Sequence, residues 1–290
     1  MSINTKRFRI HLDAWIAFAR SQMNSTYHFT PNDCQLHIRE RLWDTPPVEM
    51  RERTESYSRL AIQNREFFWP KALSMAGLEW LYNEVFLPWA ENPASYAHPQ
   101  TSVPIGGWVI DAGACEGFFS MFALEHGAGY VLAVEPVSEL GAALTFTFAQ
   151  SKYRGRIDIL RSALASEVGT LFLQADSNQI WNSNVLHCNS NANTVRVWTT
   201  TIDELVKTNG LTDSGLIKMD IEGGEMAALQ GAIFTLKEYK PHLAIAVYHG
   251  YENAVRCREI ILSANPGYCV EFRGMYAWLS PPRPYLLFAW

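Results

Sequence analysis

The chain has 290 residues, 48% of them hydrophobic and 18% charged, with a formal net charge of −5. That much apolar material predicts a sizeable core and excludes global disorder, while the acidic balance excludes a dedicated nucleic-acid binder. No apolar run is long enough to span a membrane, the N-terminus lacks the apolar core of a secretory signal, and the five widely spaced cysteines include no CxxC pair. A reduced, cytoplasmic protein without a structural zinc site is the expectation.

The first 100 residues read as helical. His11 to Gln22 carries Leu12, Trp15, Ile16 and Phe18 in roughly helical spacing, and Asp33 is expected to cap a second helix that runs through Leu42 and is stopped by the Pro46-Pro47 pair. Glu49 to Arg65 is a mostly polar helix candidate. Pro70 suits a first helical turn, followed by an apolar face from Leu73 to Phe86 that Pro88 stops. The Pro- and Gly-rich stretch from Glu91 to Gly107 is read as a boundary. It separates an N-terminal helical segment (1–100), which covers the active site or mediates dimerisation, from the main domain (101–290).

Beyond the boundary the pattern alternates. Strands are expected at 108–110, 131–136, 157–160, 216–220 and 242–248, with helices from Phe118, over 140–150, from Thr201, over 225–237 and over 252–264. β-rich segments follow at 269–273 and 285–289, and two others, at 169–173 and 195–199, flank an asparagine-rich loop at 176–194. Strands alternating with helices predict a mainly parallel sheet covered on both faces. Ligands bind such sheets beyond the carboxyl ends of the strands. Those ends carry Asp111, Glu135, Ser162-Ala163, Asp220 with Glu222, and Tyr248-His249.

Strand one runs into Asp111-Ala-Gly113-Ala114-Cys115-Glu-Gly117, a strand–glycine turn–helix unit that brings backbone close to a nucleotide-like ligand. Glu135, 24 positions after Asp111, is placed to accept hydrogen bonds from both ribose hydroxyls of an adenosine. The glycines do not follow G-x-G-x-x-G, and no G-K-[ST] phosphate loop is present, which disfavours NAD and ATP chemistry.

DAGACEGFFS, VEP at 134–136, TIDEL at 201–205, IKMDIEGGE at 217–225 and AVYH at 246–249 together resemble the FkbM family of S-adenosylmethionine (SAM)-dependent O-methyltransferases. The resemblance implies a Rossmann-like class I methyltransferase fold: a seven-stranded, mostly parallel sheet whose last hairpin is antiparallel. It also implies a SAM site in which Asp111, Gly113, Ala114, Cys115 and Gly117 shape the methionine side. Glu135 and Pro136 would stand at the ribose, Ala163 near adenine, and Asp220 beside the methyl. Cys115 stands where the family usually has asparagine, and Tyr248 where many members have glutamate.

A hydroxyl acceptor benefits from a base or a metal as it attacks. His249 is the candidate base, with Asp220 and Glu222 beside it; the same three residues form the alternative, a divalent-metal site. Glu225 is read as charging the first turn of the next helix. His187 and Cys188 are read as loop residues, His126, His242 and Cys257 as ordinary structure, and Trp181 as a residue that could stack on a ring substrate. The expected activity is methyl transfer from SAM to a hydroxyl of a sugar, polyketide or similar small metabolite, with no nucleic acid or membrane span and with homodimerisation open. The rivals are an NAD-dependent oxidoreductase and a non-catalytic binding module on the same fold.

Overall fold

The computed structural model describes residues 3–24, 26–174, 185–186 and 194–290. In chain order the N-terminal part contains α1 (Ile3–Asn24), α2 (Pro31–Glu40), the strands β1 (Val48–Arg53), β2 (Tyr57–Ile62) and β3 (Arg65–Pro70), and α3 (Leu78–Phe86). Then come β4 (Trp108–Ala112), α4 (Phe118–Glu125), β5 (Tyr130–Val134), α5 (Ser138–Phe148), β6 (Ile157–Leu160), β7 (Ala163–Leu164), β8 (Gly169–Gln174), β9 (Val185–Leu186) and β10 (Thr194–Thr200). The chain continues through α6 (Ile202–Asn209), β11 (Gly215–Met219), α7 (Glu225–Gln230), α8 (Ile233–Glu238), β12 (His242–Ala246), α9 (Asn253–Ala264), β13 (Val270–Tyr276) and β14 (Arg283–Ala289).

The main sheet has seven strands in the order β13-β14-β12-β11-β4-β5-β6. The strands from β12 to β6 pair in parallel, and β14 runs antiparallel to both β12 and β13. This is the predicted doubly wound sheet with its antiparallel last hairpin. Side chains alternate between two buried faces, as a sheet covered on both sides requires. On one face Ile110, Leu132, Ile217 and Ile245 pack with residues of α1, α2, α6 and α9. On the other, Val109, Val131, Leu216 and Ala244 pack with residues of β2, β3, α3, α4 and α5. The first 100 residues therefore contribute to both faces. A second, four-stranded sheet has the order β7-β10-β8-β9.

Three local expectations change. Glu49 to Arg65 is not helical: it forms β1 and β2, and with β3 makes a three-stranded antiparallel sheet. The hairpin between Ile62 and Arg65 turns in two residues, with Gln63 at φ +52°, a turn without the Asn-Gly signature that would have marked it. β1 is an exposed edge, so its charged residues read as a polar helix face although their role is to keep that edge in water. Pro70 ends β3 rather than starting a helix, and α3 begins only at Leu78, after Gly77 at φ +93°. Finally, α2 is capped by Thr30. The Asp33 amide donates to Thr30 Oγ1 at 3.2 Å, and Asp33 Oδ2 accepts from the Thr30 amide at 2.8 Å, so Asp33 is the third-residue partner of a capping box and not the cap.

Candidate active site

The carboxyl edge of the main sheet opens into a cavity of about 490 Å³. Its floor is the turn after β4. Gly113 sits at φ +75°, and a Cβ there would collide with the Asp220 carbonyl oxygen on the neighbouring strand end. Only glycine lets the two strand ends close up in this way. Gly117, at φ +88°, starts α4 with its Cα pressed toward Leu144 and Phe148 of α5. Cys115 adopts φ +45°, a left-handed conformation that asparagine tolerates better than most residues. Its amide donates to Glu135 Oε2 at 3.0 Å, while the Val137 amide donates to Glu135 Oε1 at 2.9 Å. Burial pushes the Glu135 carboxyl up to about 7 against the pull of these two amides.

The turn is held from beneath by Lys218 and Asp111. Both side chains are buried, and Lys218 Nζ lies 3.1 Å from Asp111 Oδ1. Ser120 Oγ donates to the other Asp111 oxygen at 2.7 Å, and Lys218 Nζ also donates to the Gly113 carbonyl at 2.9 Å. Burial alone would lower the lysine's pKa, but Asp111 and then Asp220 reverse the effect and hold it raised.

Beyond β11 and β12 the strand ends carry the reactive groups. Asp220 Oδ2 accepts from the Tyr96 hydroxyl at 3.0 Å. His249 Nε2 lies 3.4 Å from Asp220 Oδ1 and 3.4 Å from Glu222 Oε2, and its Nδ1 lies 3.1 Å from Glu225 Oε1. Glu225 is fully buried, and its Oε1 also accepts from the Ile221 and Gly223 amides at 3.1 and 3.3 Å. Burial pulls the imidazole pKa down, but Glu225, Asp220 and Glu222 outweigh it and push His249 up to about 9. Burial, reinforced by Asp220, pushes the Glu222 carboxyl up to about 8.

Gly113, Ala114, Cys115, Glu135, Pro136, Ala163, Asp220, Glu222 and His249 all line this one cavity. Asp111 and Gly117 stand behind it, one holding the turn from below and the other packing α4 onto α5. Sequence reasoning missed Lys218, Glu84, Tyr96 and Tyr276 as parts of the site, and it missed that Glu225 orients His249. A lysine inside the apolar run Leu216 to Met219 was the available signal for Lys218, because a buried lysine needs a carboxylate. The Glu225 contact joins two strand ends through space and has no local signature. Among the described residues, Asp220, Glu225 and His249 present donor atoms within 4.8 Å of one another. Yet Glu225 faces Nδ1 while Asp220 and Glu222 face Nε2, so one ion at one ring nitrogen would not gather this set. His126 accepts no role in the cavity; its Nδ1 lies 2.8 Å from the Phe122 carbonyl at the end of α4. Trp181, His187 and Cys188 lie outside the described residues.

The strand order, the glycine turn and the carboxylates at the strand ends define a class I methyltransferase domain. The family description "Methyltransferase FkbM domain" matches residues 111–280. The chain belongs to the FkbM methyltransferase family. Among solved structures, the chain shares its fold with Methyltransferase FkbM from Methylobacillus flagellatus KT at 17% identity and a TM-score of 0.53, covering 99% of this chain and 60% of that one. The chain thus spans about 60% of the length of that relative. Weaker likenesses include Trm5b from Pyrococcus abyssi (15% identity, TM-score 0.43, 82% of this chain and 56% of that one). Another is a precorrin-6y C5,15-methyltransferase from Geobacter metallireducens GS-15 (12% identity, TM-score 0.37, 66% and 84%). No curated protein matches the chain. No helix among the described residues is long and apolar enough to cross a membrane.

Proposed function

We propose that the protein is an O-methyltransferase that moves the methyl group of SAM to a hydroxyl of a small metabolite. The observation that carries this reading is the placing of His249 Nε2 3.4 Å from Asp220, on a cavity wall shared with the glycine turn and Glu135. The cavity suits SAM chemically. Glu135 offers acceptor oxygens for ribose hydroxyls, the Gly113 turn leaves room for a close backbone approach, and Asp220, whose Oδ1 lies 3.4 Å from His249 Nε2, presents a carboxylate that suits a cationic group. Lys218, the cavity's lysine, is committed to Asp111, which disfavours the pyrophosphate of a dinucleotide.

When bound, SAM supplies a methyl group already activated by its sulfonium, and the sulfur keeps the bonding electron pair as the methyl leaves. The protein's task is alignment and proton removal. Asp220, held by Tyr96, marks the methyl end of the cofactor site. Glu225 fixes the imidazole through Nδ1 and leaves Nε2 turned toward the cavity, where it takes the proton of the acceptor hydroxyl. In the free protein at neutral pH His249 carries a proton, since its pKa stands near 9; the reactive form is the neutral imidazole. The wall from α3 and the chain that follows it, with Leu81, Glu84, Val85 and Tyr96, meets the acceptor.

The test is release of S-adenosylhomocysteine from SAM in the presence of a panel of small alcohols. Turnover that disappears in His249→Ala while SAM affinity stays supports the reading. A His249→Ala protein with undiminished turnover removes the base assignment, and absence of SAM binding by the intact protein removes the whole reading.

A further inference from the structure

Resting on that reading, we propose that the acceptor is an alcohol that also bears a protonated amine, and that Glu84 is the residue that meets the amine. The wall facing the methyl end is built from Glu84, Tyr96, Glu222, Tyr248 and Tyr276. It joins carboxylates to aromatic rings and, among the described residues, lacks a free cation. Lys218 is spent on Asp111, and His249 stands among Asp220, Glu222 and Glu225.

Glu84 reaches the cavity from α3, outside the strand-end motifs. Its carboxylate is fixed from behind: the Tyr285 hydroxyl donates to Glu84 Oε1 at 3.0 Å and also lies 3.2 Å from Glu40 Oε1. Glu40 in turn accepts from Trp278 Nε1 at 2.9 Å and lies 3.1 Å from His37 Nδ1. A carboxylate anchored this well is pre-set for a ligand. Burial first, then the carboxylates Asp220, Glu40 and Glu116, outweigh the Tyr285 hydroxyl and push it to about 8, so Glu84 keeps its proton at neutral pH until a positive charge arrives beside it. Burying such a group costs free energy unless a positive charge joins it.

The rings point to the same chemistry. Tyr248 stacks on Tyr276 with centroids 4.6 Å apart and planes 19° from parallel, and Tyr285 closes the edge of the pair. An aromatic wall next to carboxylates attracts an ammonium through both the ring faces and the anionic oxygens. An acceptor carrying a carboxylate or phosphate would face Glu84, Asp220 and Glu222 with a single imidazole, His249, that these carboxyl groups and Glu225 already surround. A neutral acceptor would leave Glu84 without a counter-charge. A second molecule of positive charge satisfies all three groups once SAM has taken the end near Glu135.

A panel of small alcohols tests this, each as free amine, as N-acetyl derivative and as the corresponding carboxylate, assayed with SAM by release of S-adenosylhomocysteine. The free amines are expected to show kcat/KM at least about tenfold above their N-acetyl partners, the size of one hydrogen-bonded charge contact. In Glu84→Gln, which keeps the shape and the Tyr285 contact, KM for the amines rises by about the same factor while kcat and SAM affinity hold. Equal or better turnover of the N-acetyl or carboxylate members, an unchanged KM in Glu84→Gln, or a SAM-binding protein that turns over no amine overturns the proposal. SAM affinity, measured separately by calorimetry, reports on the methyl-transfer reading itself.

Discussion

Lys218 and Asp111 stand opposite each other in the register of β11 and β4, and their charged ends meet at 3.1 Å in the interior of the protein. With Ser120 on the second oxygen of Asp111 and the Gly113 carbonyl on Lys218, the pair ties the two central strands to the cofactor turn. Lys218→Met would leave the Asp111 carboxylate buried without a counter-charge. Loss of about 3–5 kcal/mol of unfolding free energy is expected, read by urea denaturation. The double variant Asp111→Asn with Lys218→Met removes both charges and should recover a large part of that loss.

The glycine turn gives a second prediction, specific to binding. Gly113→Ala must fit a side chain at φ +75° against the Asp220 carbonyl, so the strand ends have to separate. SAM affinity is expected to fall by at least about tenfold in calorimetry, because a backbone strain of about 1–3 kcal/mol falls directly on the site. Cys115→Asn works in the other direction. Asparagine tolerates the left-handed conformation at φ +45°, and thermal unfolding should show a gain of up to about 1 kcal/mol.

His249 makes the reaction sensitive to pH. The neutral imidazole is the reactive form and the free protein holds the proton up to about 9, so kcat/KM should climb with pH and level off above that value. Glu225 is the foremost of the carboxylates that raise it. In Glu225→Gln the imidazolium loses that support, and the ascending limb should move down by about 1–3 pH units. A limb that stays in place would separate the rate from this pair.

Stability of the ligand-free protein should fall as pH rises. Glu135 and Glu116 are pushed up to about 7, and Glu84 and Glu222 to about 8, against about 4.3 for an unfolded glutamate. His249 stands at about 9 against about 6.5 unfolded. Each of these groups binds its proton more tightly when folded, so each contributes stability that is complete below its unfolded value and is lost as pH passes through its folded one. The melting temperature is expected to drop between pH 5 and pH 9. Saturating SAM, a cation in the same cavity, should reduce the slope.

Much of the sheet was readable because its signals are local. Trp108 to Ser120 carries strand, glycine turn and helix in one stretch, and Glu135, Asp220 and His249 each follow directly on an apolar run. The helix at 225–237 was only half right: it is broken at Gly231, where the backbone comes against the Ala165 carbonyl, a contact made from far along the chain. The β1–β3 sheet was hidden because its exposed edge is rich in arginine and glutamate, which suit a solvated helix as well as a solvated strand. The acceptor side was hidden for a different reason. Glu84, Tyr96 and Tyr276 come from separate parts of the chain, and only the closed sheet with α3 laid across it brings them to one wall with Tyr248.

Calorimetric titration of SAM into the full chain tests most directly whether the carboxyl-edge cavity binds SAM through the glycine turn and Glu135. Saturable binding to one site per chain is expected, weakened at least about tenfold in Glu135→Ala by loss of the ribose contacts. Absence of binding by the intact protein, or full affinity in Glu135→Ala, would contradict it.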